Sequence, residues 1–180
     1  PVRGEMVAVK EYFPHRIAAR SDDGSVVPQR NDAKLFTNWR DKFVTEYNML
    51  LEASRCPSVV QVLDLFEENN TAYLVMAYVE GETLHRLLRR EGTLPVKRAV
   101  RLLRQIADGV DAAHDLNILH RDLKPANIFI MQKGKGGDGF VKVGDFGLAK
   151  IMNQTVTDTA SKATPSSRGI IGTPEFMSPE

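Results

Sequence analysis

One short span limits what this 180-residue chain can become: His120-Arg121-Asp122, then Lys124 and Asn127, then Asp145-Phe146-Gly147 downstream. The combination carries its own chemistry. Asn127 and Asp145 offer side-chain oxygens, the ligands that hard divalent cations take. Asp122 can accept a hydroxyl proton, and Lys124 lies close enough in sequence to reach a transferring phosphate. A metal held by oxygens, a group that orients a hydroxyl and a cation on the phosphate are the parts that phosphoryl transfer requires.

Further motifs fall in order around this span. Val7-Ala8-Val9-Lys10 reads as a strand carrying a lysine, and Gly172-Thr173-Pro174-Glu175 and Ser178-Pro179-Glu180 close the chain. Together the motifs resemble those of the protein kinase family over essentially the whole chain. The resemblance implies an α+β, two-lobed kinase-like fold. Residues 1–79 would form a small β-rich lobe with one long helix and the hinge, and residues 80–180 a helical lobe reaching through the activation segment. It also implies truncation at both ends. The family places a strand, a glycine-rich loop and a second strand before the lysine strand, and it continues beyond Glu180 into several helices. This internal piece is expected to be inactive alone.

By the same resemblance ATP is the phosphate donor, and Mg²⁺ or Mn²⁺ is held by Asn127 and Asp145. Lys10 pairs the nucleotide phosphates, Asp122 orients the acceptor hydroxyl and Lys124 neutralises charge. Met76 guards the back of the adenine pocket, Ala77 and Val79 present hinge backbone groups to the base, and Ala8 and Phe129 sandwich it. Phe129 stands where many relatives carry a smaller aliphatic residue, which narrows the pocket. Ala77 stands where many carry an acidic one, with little consequence because the backbone makes the contact. Lys124 with Thr173 implies protein substrates with serine or threonine acceptors rather than tyrosine. Glu11-Tyr12-Phe13-Pro14 and the long insertion after it resemble bacterial members. A non-catalytic pseudokinase or scaffold is the competing reading, and the intact Lys10, Asp122 and Asp145 argue against it.

Composition narrows the partners. Lysine plus arginine number 24 against 23 acidic residues, so net charge gives no reason to invoke nucleic acid or an anionic membrane. Arg86, Arg89, Arg90, Lys97, Arg98, Arg101 and Arg104 cluster, which reads as a solvated helix face. The longest apolar run, from Ala72 to Val79, is far short of a membrane span, so no membrane contact is expected of this stretch. An anchor outside it stays open. A single cysteine, Cys56, fits a reducing cytosol and a cytoplasmic location, and reads as a small packed loop residue.

Periodicity places the elements. Met6 to Tyr12 alternates as a strand, and Phe13 to Phe36, with its prolines and Asp22-Asp23-Gly24, reads as an irregular surface insertion. Apolar spacing predicts a helix over Asn38 to Ser54. Glu46 shares the inward face of Phe43 and Leu50, and a buried carboxylate needs a partner. Lys10 is the natural candidate, and the family resemblance agrees. Val59 to Phe66 and Thr71 to Val79 read as paired strands, and Thr83 to Arg90 as a short helix. Pro95 opens a longer helix with a stripe of Ala99, Leu103, Ile106, Val110 and Ala113, ending at His114, a hydrogen-bonded packing residue. The resemblance stacks His120 on Phe146, with Leu50 and Val62 completing the column. Gly134-Lys135-Gly136-Gly137-Asp138-Gly139 matches a phosphate-binding spacing but joins two short strands, so it reads as a surface turn.

Asn153 to Arg168 is polar and rich in serine and threonine, too poor in apolar surface to order itself. Added phosphate would find Arg121, and in this family an arginine before the catalytic aspartate marks enzymes switched on in that way. Gly169 occupies the usual acceptor position, so Thr164, Ser166 and Ser167 are the expected sites, with Thr157 and Thr159 further out. Thr173 is read as structural.

Overall fold

The computed structural model describes residues 4–131, 139–146 and 174–176. Its first layer is an antiparallel sheet of β1 (Val7–Glu11), β4 (Val62–Glu68) and β5 (Thr71–Ala77), in the order β1-β5-β4. Residues two apart on a strand share a face, so Ala8 and Lys10 project together, opposite Met76 and Leu74 of β5.

The long helix α1 (Ala33–Ala53) covers that face. Phe36, Trp39, Phe43, Leu50 and Ala53 form its buried stripe at helical spacing. Tyr12 joins the stripe from the sheet, its ring centroid 5.2 Å from that of Phe36 and 5.7 Å from that of Phe43. Burial holds the Tyr12 phenol in its protonated form, and the hydroxyl donates to the Phe36 carbonyl at 3.0 Å.

Between Tyr12 and α1 the structure departs from the sequence reading. The insertion is ordered into a hairpin, β2 (Ala18–Arg20) and β3 (Val26–Pro28), and α1 begins earlier than periodicity placed it. Local polar bonds close the turn: Asp23 accepts from the Ser25 backbone at 2.9 Å and from the Ser21 hydroxyl at 2.6 Å. Docking completes the order. Val26 is fully buried, its N–H donates to the Asn69 carbonyl at 2.8 Å, and the Asn70 amide donates back to the Val26 carbonyl at 2.7 Å. Prolines and Asp-Gly mark turns in a sequence, but they do not say whether a distant loop will meet them.

The second layer is built from β6 (Gly81–Thr83), α2 (Leu84–Glu91), α3 (Val96–His114), β7 (Ile128–Met131) and β8 (Phe140–Val143). Thr83 caps α2 by accepting from the Arg86 N–H at 3.2 Å. The strands pair in the order β6-β7-β8, and the glycine-rich turn joining β7 to β8 lies outside the described residues apart from Gly139. Arg90 pairs with Glu82 and Glu91, and Arg98 with Glu91, so part of the basic cluster is neutralised locally.

Helix α3 buries Leu102, Ile106, Gly109 and Ala113, so Ile106 and Ala113 of the expected stripe lie in the core, while Leu103 is left 61% exposed and Leu102 is buried instead. The helix carries apolar residues on two faces, and Gly109 decides which one turns inward. A side chain there would meet the Ser58 carbonyl oxygen at 2.8 Å and Val143 Cγ2 at 3.1 Å. Only glycine lets the helix backbone come so near. His114, expected to pack, is exposed at the end of α3. Cys56 is half-buried, its thiol 3.7 Å from the Asp108 carbonyl.

Replacing Gly109 by alanine sets two effects against each other. Alanine favours the helix by about 1 kcal/mol, whereas overpacking against a backbone oxygen costs about 1–3 kcal/mol. Gly109→Ala is therefore expected to lower the urea midpoint without changing the slope of the unfolding curve.

Candidate active site

The segment after α3 brings the polar residues together by a series of backbone constraints. Arg121 adopts φ +63° and Asp145 φ +57°, left-handed values that side chains seldom take and that surrounding contacts must hold. Pro125 starts a 3-10 turn, Pro125–Asn127, which closes with Asn127 N–H donating to the Lys124 carbonyl at 2.9 Å. This turn folds Asn127 back onto Asp122.

Asp122, Lys124 and Asn127 form one cluster. Lys124 Nζ lies 2.7 Å from Asp122 Oδ2, and Asn127 Nδ2 donates to the same oxygen at 3.2 Å and to the Asp122 carbonyl at 2.9 Å. Asn127 is buried, with its amide nitrogen committed to Asp122, so its Oδ1 is the atom left to face a cation. The Asp145 carboxylate supplies a second oxygen donor. One backbone step joins the two, since Gly144 N–H donates to the Asn127 carbonyl at 3.0 Å. A side-chain amide oxygen beside a carboxylate suits Mg²⁺, which is held by few protein oxygens together with substrate phosphates. No cluster of three or more acidic, histidine or cysteine ligands occurs among the described residues, and such a site does not require one.

Lys10 pairs with Asp145, Nζ to Oδ1 2.7 Å. This differs from the expected partner, Glu46. Side chains of Lys10 and Asp145 remain 26% and 42% exposed, and an ion pair so open to water is worth about 1 kcal/mol or less. Lys10 can thus exchange Asp145 for phosphate oxygens at little cost.

Glu46 is half-buried in a pocket that it lines with Met49, Leu50, Ile118, Arg121 and Phe146. Burial raises its carboxyl above the ordinary value of 4.5, and the positive charges of Arg121 and Lys42 only partly oppose the shift. Glu46 and Arg121 thus share one pocket, and after burial the Arg121 charge is the largest influence on the carboxyl. Helical spacing correctly put it on the inward face but carried no information on which cation stands opposite.

His120 and Phe146 stack with centroids 4.7 Å apart, and Leu50 and Phe146 line one pocket. Val62 lies in the same buried core. Because the Gly144 carbonyl can only accept, the 2.9 Å contact puts the proton on His120 Nε2, and Nδ1 accepts from the Asp122 N–H at 3.4 Å. Burial lowers the His120 pKa, which keeps the ring neutral in this bridging tautomer.

The nucleotide-pocket candidates divide by element. Ala8 pairs in register with Met76, Ala77 ends β5 with its N–H donating to the Gln61 carbonyl at 2.9 Å, and Val79 lies in the short segment between β5 and β6. Phe129 sits on β7 between Thr83 and Lys142. Gly147, the polar tract with Thr157, Thr159, Thr164, Ser166 and Ser167, and Thr173 and Glu180 lie outside the described residues.

The sequence matches the family described as protein kinase domain over residues 4–180. The chain belongs to the protein kinase family. Among curated relatives, serine/threonine-protein kinase pkn2 of Myxococcus xanthus is 40% identical over 131 residues, covering 73% of this chain and 15% of that protein. PrkC of Bacillus subtilis, also described as a serine/threonine-protein kinase, is 38% identical over 125 residues, or 69% of this chain and 17% of that protein. The kinase chain thus spans about a sixth of the length of these relatives. The solved structure described as PpkA-294 apo form superposes with a TM-score of 0.70 at 28% identity, over 88% of this chain and 56% of that one. The PknI kinase domain of Mycobacterium tuberculosis gives a TM-score of 0.54 at 27% identity, over 79% and 49%. These likenesses fit the two-lobed fold and the bacterial resemblance.

Sequence reading assigned no role to two further residues of this kinase site. Lys142 Nζ donates to the Val59 carbonyl at 3.2 Å, and burial lowers its pKa. Gly144 is crowded by residues remote in sequence. Neither role has a local signal, because the partners come from other elements.

The Glu46 shift yields a pH prediction. A carboxyl whose folded pKa is raised contributes stability at low pH that is lost as pH rises through that pKa. Glu46→Gln is expected to raise the melting temperature at pH 8 by a few degrees, ~2–4 °C per kcal/mol gained. The gain should shrink towards zero near pH 4 in paired melts.

Proposed function

We propose that the protein is a serine/threonine protein kinase, transferring the γ-phosphate of ATP to protein hydroxyls with Mg²⁺ or Mn²⁺ bound. The observation that carries the reading is the clasp of Asp122 between Lys124 and Asn127, one backbone hydrogen bond from the Gly144–Asp145 step. Asp122 orients the acceptor and receives its proton. Lys124, already 2.7 Å from that carboxylate, stands where charge builds on the transferring group. Lys10 leaves Asp145 for the phosphates. Asn127 and Asp145 hold the metal, which supplies charge neutralisation on the phosphate oxygens when bound.

Glu46 is then a second partner for Lys10, reached by a turn of α1 away from Arg121. Phosphate added at Thr164, Ser166 or Ser167 would compete for the same guanidinium, in charge-assisted bonds that favour that turn. Ala8 and Phe129 flank the base, Met76 backs it, and Ala77 and Val79 meet it through the backbone. Serine or threonine specificity rests on Lys124 together with the curated descriptions of pkn2 and PrkC. No described helix is long and apolar enough to cross a membrane, and a cytoplasmic site of action fits the single cysteine.

The test is phosphate transfer from ATP to a generic protein acceptor, using the gene with its flanking sequence. Asp122→Asn and Lys10→Met are each expected to lower kcat by about a hundredfold or more, the usual scale for a positioned proton acceptor or phosphate ligand. Wild type and variants equally silent while nucleotide still binds would establish the scaffold reading instead. Mass spectrometry of active enzyme should place phosphate among Thr164, Ser166 and Ser167. Full turnover from an unmodified segment would rule out that regulation.

A further inference from the structure

Gly144 is glycine for space. Its backbone is not among those with positive φ, so conformational freedom does not explain it. A methyl group at this position would fall 2.9 Å from Phe129 Cε2, 3.5 Å from Phe129 Cδ2 and 3.1 Å from Val60 Cγ2. The aromatic ring therefore lies on the Gly144 Cα. The other two sides of the residue are also held, its N–H by the Asn127 carbonyl at 3.0 Å and its carbonyl by His120 Nε2 at 2.9 Å.

The next residue, Asp145, is in a left-handed conformation at φ +57°. Such a residue keeps its orientation only while its neighbours leave no alternative. Phe129 is well placed to enforce this, because its strand is paired on both sides, with Thr83 of β6 and Lys142 of β8. We propose that Phe129 is a positioning residue for Asp145. It acts through the Gly144 Cα, and the aromatic at 129 and the glycine at 144 form one interdependent pair. The proposal rests on the kinase reading, since it concerns the aim of a metal-holding carboxylate. A smaller aliphatic residue at 129 would leave a gap over Gly144, and a side chain at 144 would push the ring or tilt the peptide that carries Asp145.

Phe129→Leu, Gly144→Ala and the double variant test this in the full-length protein. ADP affinity is measured with and without Mg²⁺, beside thermal melting. Gly144→Ala alone is expected to weaken binding with Mg²⁺ by about tenfold, while binding without Mg²⁺ changes little. Phe129→Leu alone also removes the ring proposed to flank the base, a loss common to both conditions, so the part of its effect that depends on Mg²⁺ should be smaller. The double variant should return towards the Phe129→Leu value, a coupling of about tenfold, as contacting residues give. Losses that simply multiply, or a Gly144→Ala loss equal with and without Mg²⁺, would overturn the positioning role. If wild type binds no nucleotide at all, the kinase reading fails on its own. Melting temperatures then decide the packing claim: Gly144→Ala less stable than the double variant upholds it, and additive losses refute it.

Discussion

The site depends on a backbone exchange between the loop after α1 and strand β8. Val60 N–H donates to the Val143 carbonyl at 2.9 Å, and Val143 N–H donates to the Ser58 carbonyl at 2.7 Å. Lys142 adds a side-chain bond to the intervening carbonyl of Val59. Val59 and Val143 are both buried almost completely, so these bonds are shielded from water, and breaking one would leave an unpaired polar group inside the protein. Gly109 permits the arrangement by letting α3 close beneath it. The sheet-and-helix layer that carries Lys10 and Glu46 is thereby joined to the strand that leads into Gly144 and Asp145.

From that joint the polar residues take their places in sequence. Gly144 comes directly after Val143 and is gripped by Asn127, His120 and Phe129. Asp145 is next and meets Lys10 across the two layers. The charges are divided unevenly. Lys10 and Asp145 are open enough to exchange partners, whereas Glu46 is burdened by burial and only partly relieved by Arg121 and Lys42. The site is thus firm in its backbone and adjustable in its ion pairs, a combination that suits the proposed exchange of Asp145 for phosphate at Lys10.

Much of this was legible in the chain. Short motifs fix local chemistry, so Asp122, Lys124, Asn127 and Asp145 stand out as a set from their types and spacing. Helical spacing placed Glu46 with Phe43 and Leu50 on the inward face. Legibility ended where two segments far apart in sequence had to meet. The insertion after Tyr12 looked irregular because its order comes from Asn69 and Asn70. The stripe of α3 was right at Ile106 and Ala113 but wrong at Leu103, because apolar residues flank it on both sides and the rotation belongs to Ser58 and Val143 against Gly109.

The sequence by itself determined the kinds of group available, their order along the chain and the family to which they belong. Those are properties of side-chain chemistry and of spacing within single elements. The tertiary structure decided the neighbours: Lys10 with Asp145 rather than Glu46, Glu46 in one pocket with Arg121, and Phe129 upon Gly144. An inward-facing charge or ring announces that it needs a neighbour. Which neighbour it obtains depends on how separate elements pack, and no local pattern encodes that.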